Sequence, residues 1–125
     1  MKQKEKLMAT ADVAQGLVSL CQQGQFIEAI AKYYGDDIVS VEAMGDPAEL
    51  RGLEAVQAKS ADSGEKMEIH AMKVEGPYVN GNQFAVRFNM DATDKSVGKR
   101  FQMDEIAVYT VENDKIVHEQ FLYGG

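Results

Sequence analysis

Apolar residues recur near the start of the chain at Val13, Leu17, Leu20 and Cys21. Spacings of four, three and one lay them along one side of a helix, and Gly24 stands where that helix would end. Phe26, Ile27, Ile30, Tyr33 and Tyr34 predict a second, short helix closed by Gly35. The stretch DIVSVEA, residues 37–43, is rich in β-branched side chains and reads as a strand. GDPAELRG, residues 45–52, reads as a loop from its glycines and proline. A third helix is expected over 53–64, with Leu53 and Val56 on one side and Gly64 at its end.

Beyond residue 66 the pattern changes period. MEIHAMKVEGPYV, residues 67–79, predicts a strand with a bend or an edge at Gly76-Pro77. Asn80-Gly81 is a strong hairpin signal, because a type I′ turn needs positive φ at both central residues. The strand predicted over 82–93 sets Phe84, Val86, Phe88 and Met90 on one face and Arg87, Asn89 and Asp91 on the other. After a turn at TDKSVG comes RFQMDEIAVYTV, residues 100–111. Alternation gathers Phe101, Met103, Glu105, Ala107, Tyr109 and Val111 on one face, so one carboxyl sits in an otherwise apolar row. The opposite face carries Arg100, Gln102 and Asp104, then Ile106 and Val108. VENDKIV predicts the last hairpin, and residues 115–123 the last strand. Helices followed by a meander of strands indicate an α+β fold, with the helices on one face of an antiparallel sheet.

Composition narrows the classes of function. The chain has 125 residues, and no linker or repeat divides it, so one domain over 1–125 is expected, frayed over 1–8. Its net charge of −7, with no basic run, argues against nucleic acid or an anionic membrane as partner. No stretch approaches the roughly 20 apolar residues of a spanning helix, and the opening residues lack the apolar run of a signal peptide; a cytoplasmic protein is expected. The single cysteine, Cys21, permits no internal disulfide and reads as a small buried hydrophobe. Phosphate loops, nucleophile elbows, CxxC and HExxH are all missing from the sequence, and the two histidines have no metal-ligand spacing. Neither a metal nor a cofactor is expected.

Three stretches carry a family resemblance that together covers nearly the whole chain. LVSLCQQGQFIEAIAKYYGDDIVSVEA resembles the opening helices and first strand of the SnoaL-like proteins. RGLEAV resembles their third helix, and MDEIAVYTVENDKIVHEQFLY their closing hairpin. These belong to the nuclear transport factor 2-like superfamily, with ketosteroid isomerase. The resemblance implies a cone of curved antiparallel sheet with three helices on its concave face, and a cavity at the wide end. It also implies which catalytic positions to inspect. The isomerase's base follows a Val-Glu pair on the first strand, and that place is taken here by Ala43. Its second Asp falls near Glu105 or Ala107, and its helix-1 tyrosine near Leu17 or Val18. The cyclases' acid/base Asp corresponds to Phe121. Neither familiar mechanism transfers, while the cavity does.

The residues themselves offer other candidates. Glu105, on an apolar face, suits a general acid or base, because burial raises a carboxyl's pKa toward neutrality; the other reading is a structural carboxyl tied to a tyrosine, histidine or backbone donor. His70 either faces Glu105 as an acid/base partner or is a satisfied core or edge histidine. Tyr34, Phe88, Met90, Phe101, Met103 and Tyr109 are the expected lining of the cavity. One of Tyr33 and Tyr34 should be core while the other offers its hydroxyl to the cavity. Glu42 is expected at solvent or in a salt bridge, His118 at the surface, and methionines 44, 67, 72, 90 and 103 chiefly as core filling. The expected ligand is a small apolar or carbonyl-containing molecule, turned over by proton transfer or merely bound. A homodimer is expected through the outer sheet face around Arg87, Ile106 and Val108, where apolar residues lack cover from their own chain.

Overall fold

The computed structural model describes residues 2–43 and 48–123, with side chains from residue 9 onward. The expected fraying of residues 1–8 and the role of Met44 lie outside the described residues. Helix α1 spans Lys2–Gln22 and α2 Phe26–Tyr33. Strand β1 (Tyr34–Val41), the short β2 (Glu49–Arg51) and helix α3 (Leu53–Lys66) follow. Then come β3 (Met67–Asn80), β4 (Gln83–Asp94), β5 (Lys99–Glu112) and β6 (Lys115–Tyr123). The sheet order is β2-β1-β6-β5-β4-β3, antiparallel throughout except for the parallel pair β1/β6. No described helix is long and apolar enough to cross a membrane.

Of the predicted α1 stripe, Val13, Leu17 and Cys21 join one core with the inner face of the sheet and Leu20 packs partly buried against it, while Ala14 and Val18 add to the buried side. That face presents Phe84, Val86 and Phe88 from β4 and Ala107, Tyr109 and Val111 from β5. Phe84 and Tyr109 are cross-strand partners whose rings stack 4.8 Å apart. Residue 16 of α1 is glycine, and the Tyr33 phenol of α2 occupies the space that a Cβ would take there, so any larger residue would have to displace that side chain.

Three local features differ from the pattern-based expectation. Tyr34 does not end α2; it is extended (φ −83°, ψ 138°) and opens β1 opposite Ile116. The stretch 45–52, read as a loop, contains β2, which pairs with the edge of β1 at Val39–Val41 and satisfies backbone groups left open there. The β3–β4 turn centres on Gly81 and Asn82 rather than on Asn80 and Gly81, since Asn80 pairs with Gln83. Only Gly81 has positive φ there, as a turn with glycine at its first central position requires. Positive φ at both central residues occurs instead at Asn113 and Asp114, between β5 and β6.

Bulges bend the sheet and re-aim its side chains. On β3 the register slips between Ile69 and Ala71, and again between Glu75 and Tyr78. On β6 it slips at Val117, because Val111 pairs with Ile116 while Thr110 pairs with His118. An inserted residue increases local twist and exchanges the faces of all that follows. Ile116 is therefore in the core, and so is Glu119, three residues later.

Candidate functional site

Between the helices and the inner sheet face lies a cavity of about 960 Å³. Of the six expected lining residues, Tyr34, Phe88, Met90, Met103 and Tyr109 line it. Phe101 shares their face but pairs with Ala92 beyond the cavity and does not line it. The far wall comes from Leu17 and Cys21 of α1, Phe26 and Ile30 of α2, and Val56 of α3. Met67, Ile69 and Met72 enter from β3; the bulge puts both Ile69 and Met72 on the inner side although they are three residues apart.

Glu105 lies in this apolar wall, on the face that alternation predicts. Its cross-strand partners are Phe88 on β4 and Tyr123 on β6. Burial away from water raises its carboxyl pKa to about 7, and the negative charges of Glu42 and Glu119 add to the rise. The Tyr123 hydroxyl and Lys59 act the other way. Glu42 lines the cavity mouth and is ion-paired to Lys59 of α3, in keeping with the salt-bridge reading. Its second oxygen accepts a hydrogen bond from the Tyr123 hydroxyl at 3.2 Å.

A second carboxyl lies deeper. Glu119 is only 3% exposed, and Oε1 accepts a hydrogen bond from the Tyr34 hydroxyl. Tyr34 thus does put its hydroxyl in the cavity, while Tyr33 packs against Gly16. Burial pushes the Glu119 carboxyl up, and the Tyr34 hydroxyl partly offsets this. Ser40 is the parallel-strand partner of Glu119 and fully buried; its hydroxyl makes no hydrogen bond of good geometry, yet lies near enough to favour the ionised carboxyl. Tyr109 lies beside this pair, and burial drives its phenol well above the ordinary tyrosine range, as it does that of Tyr34. Both remain protonated donors at neutral pH. Glu119 escaped the sequence reading. Its alternation with Phe121 and Tyr123 was the available signal, but either face of β6 was open until the bulge at Val117 decided it.

The histidines take no part. His70 is the residue inserted at the first β3 bulge; it is exposed on the outer side, with Nε2 2.7 Å from the Thr93 hydroxyl. The expected pairing of His70 with Glu105 is therefore not formed, because the bulge breaks the alternation that grouped His70 with Met72 and Val74. His118 points outward, as expected, paired with Thr110. Cys21 lines the cavity, but burial pushes its thiol up to about 12, which leaves it a weak nucleophile at neutral pH. Among the described residues no group of three His, Cys, Asp or Glu side chains is arranged to hold a metal ion.

Residues 8–123 match the family model of the SnoaL-like domain. A crystal structure from Mesorhizobium loti, of a protein named as a SnoaL-like polyketide cyclase [carbohydrate phosphatase], is similar at 48% identity. The match covers 90% of this chain and 97% of that one, with a TM-score of 0.87. An LEH-like epoxide hydrolase from M. tuberculosis shares the fold at 14% identity and TM-score 0.67, over 99% of this chain and 86% of that one. So does a protein of ketosteroid isomerase-like fold from Catenulispora acidiphila, at 18% identity and TM-score 0.65, over 78% and 75%. No curated protein is significantly similar to the chain.

Proposed function

The chain belongs to the SnoaL-like domain family, and we propose that it takes a small, mostly apolar carbonyl compound into the cone and shifts a proton on it through Glu105, without a cofactor. The observation that carries this reading is a carboxyl set into an apolar cavity wall with a pKa of about 7. Such a group is populated in both forms at neutral pH, so it can take a proton from carbon as the carboxylate and return it as the acid. Tyr109 lines the same cavity as a persistent phenol and supplies a donor able to polarise a carbonyl oxygen. The reaction class is that of an isomerase, cyclase or dehydratase. The cavity faces Glu42, Glu65, Glu105 and Glu119 against one cation, Lys59, which Glu42 already engages. That balance favours neutral over anionic ligands.

The test is hydron exchange. Small enolisable ketones incubated with the protein in deuterated buffer should exchange α-hydrogen faster than in its absence, and Glu105→Gln should slow this by roughly 100-fold or more. If ketones bind but exchange at the background rate, the protein is a binding module. Ala43 and Phe121, standing where the family's catalytic carboxylates would be, favour that second reading.

The outer face is proposed as a homodimer surface. Ile106 and Leu122 are cross-strand neighbours there, 43% and 48% exposed, with Val108 and Arg87 adjoining. Sedimentation should give the dimer mass at micromolar concentration, and Val108→Asp should give monomer; a wild-type monomer refutes it.

A further inference from the structure

The mouth of the cavity holds a chain of polar groups whose geometry bears on Glu105. Lys59 Nζ on α3 pairs with Glu42 Oε1, just after β1. Glu42 Oε2 accepts from the hydroxyl of Tyr123 at the end of β6. Tyr123 is directly across the strand pair from Glu105, on the same face. Three separate segments are thus linked through Glu42, and the Tyr123 hydroxyl has the Glu42 and Glu105 carboxyls as neighbours. The group is accessible at the mouth: Tyr123 is 36% exposed, and the Glu42 and Lys59 side chains are 22% and 34% exposed.

We propose, resting on the role of Glu105 given above, that Tyr123 is a positioning residue for Glu105, anchored by Glu42 and Lys59 so that its hydroxyl can turn to donate its single hydrogen bond to either of the two carboxyls. A phenol has one proton to donate and an oxygen that also accepts. When Glu105 is protonated, its O–H can donate to the Tyr123 oxygen while the Tyr123 hydroxyl donates to Glu42, the second of these being the hydrogen bond observed. When Glu105 is ionised it needs a donor, and the hydroxyl can turn to it. Glu42 can give the hydroxyl up because Lys59 continues to satisfy its charge. No proton leaves the tyrosine in this exchange; a rotation serves both states of the carboxyl. Burial and the adjacent carboxyls raise the Tyr123 phenol, in keeping with a permanently protonated donor.

The charged and titratable groups around Glu105 are Glu42, Lys59, Tyr109, Glu119 and Tyr123. From α1, Cys21 faces the neighbouring Glu119 and Tyr109, and its raised thiol stays neutral. The unit predicts a pattern of signs. Tyr123→Phe removes the donor to the ionised form and should move the Glu105 midpoint above about 7. Lys59→Met leaves the Glu42 charge unopposed and should move it in the same direction. Glu42→Gln removes that charge and should move it down. Each change should be at least roughly half a pH unit.

The experiment is a carbon-13 NMR titration of the Glu105 carboxyl in wild type and the three variants, with melting curves to confirm folding. Opposite shifts for Glu42→Gln and Lys59→Met, with Tyr123→Phe following Lys59→Met, support the unit. Unchanged midpoints, or shifts of one sign in all three, overturn it, since a merely structural role would not order the signs. A variant too unstable to titrate is replaced by Lys59→Gln or Tyr123→Leu, which must keep the same sign. The titration needs no substrate, so it can fail while exchange still depends on Glu105, or hold for a protein without catalysis.

Discussion

Asp104 and Glu105 are consecutive residues of β5 with the same functional group, and their carboxyls move in opposite directions. Asp104 faces outward, where the Arg87 guanidinium grips both its oxygens at 3.0 and 2.7 Å and holds it below the usual range. Asp91, nearby on the same face, is held down in the same way by Arg100, at 2.9 and 2.8 Å. Glu105 faces inward, where burial and two further carboxyls push it up to about 7. Outside, arginine forks satisfy acids that water also reaches. Inside, tyrosine hydroxyls do so: Tyr34 for Glu119, Tyr123 beside Glu105. A phenol satisfies a carboxyl without neutralising it, so the inner pair keeps its raised pKa, while the outer pair is confined to the charged form.

The largest difference between the faces should appear in packing. Phe84 is 1% exposed and stacked on Tyr109, and Phe84→Ala should cost about 3–5 kcal/mol, whereas Gln102→Ala on the outer face should stay within about 0.5 kcal/mol. Chemical denaturation measures both, and comparable losses would erase the distinction.

Tyr34→Phe comes next. It leaves a buried carboxyl without its donor and should cost about 1–3 kcal/mol, together with an upward shift of the Glu119 midpoint. A variant as stable as wild type would show that Glu119 does not depend on the phenol.

The pH dependence should separate the two carboxyls of β5. A carboxyl raised in the folded state stabilises the fold below its unfolded pKa of about 4.5, and that contribution is lost as pH rises through about 7. For Asp104 the sign is reversed: its contribution is present above about 3.8 and is lost as pH falls through the lower folded value. Glu105→Gln should therefore flatten the fall in melting temperature between pH 4.5 and 7 and leave the acid limb in place. A fall of unchanged slope would place its origin elsewhere, Glu119 first.

The smallest effect is expected from Arg87→Ala. It should raise the Asp104 midpoint toward 3.8 and leave that of Glu105 unmoved, because the two carboxyls lie on opposite faces of the sheet. A coupled shift of Glu105 would show that the faces communicate through the strand.

The period of the apolar positions determined the α1 stripe, the four long strands after α3 and the inward row Phe101, Met103, Glu105, Ala107, Tyr109 and Val111, because helix and strand geometry convert spacing directly into a face. That was enough to choose Glu105 and five of the six cavity residues. Tertiary structure decided the rest at the bulges, where one inserted residue reverses every face that follows and leaves no mark in composition. One bulge turned His70 to the outside. Another brought Glu119 to Tyr34, 85 residues away in sequence. The Lys59–Glu42–Tyr123 chain likewise joins three segments that only the closed cone brings together. Local spacing could find a carboxyl on an apolar face, but which hydroxyls and charges surround it depends on long-range packing.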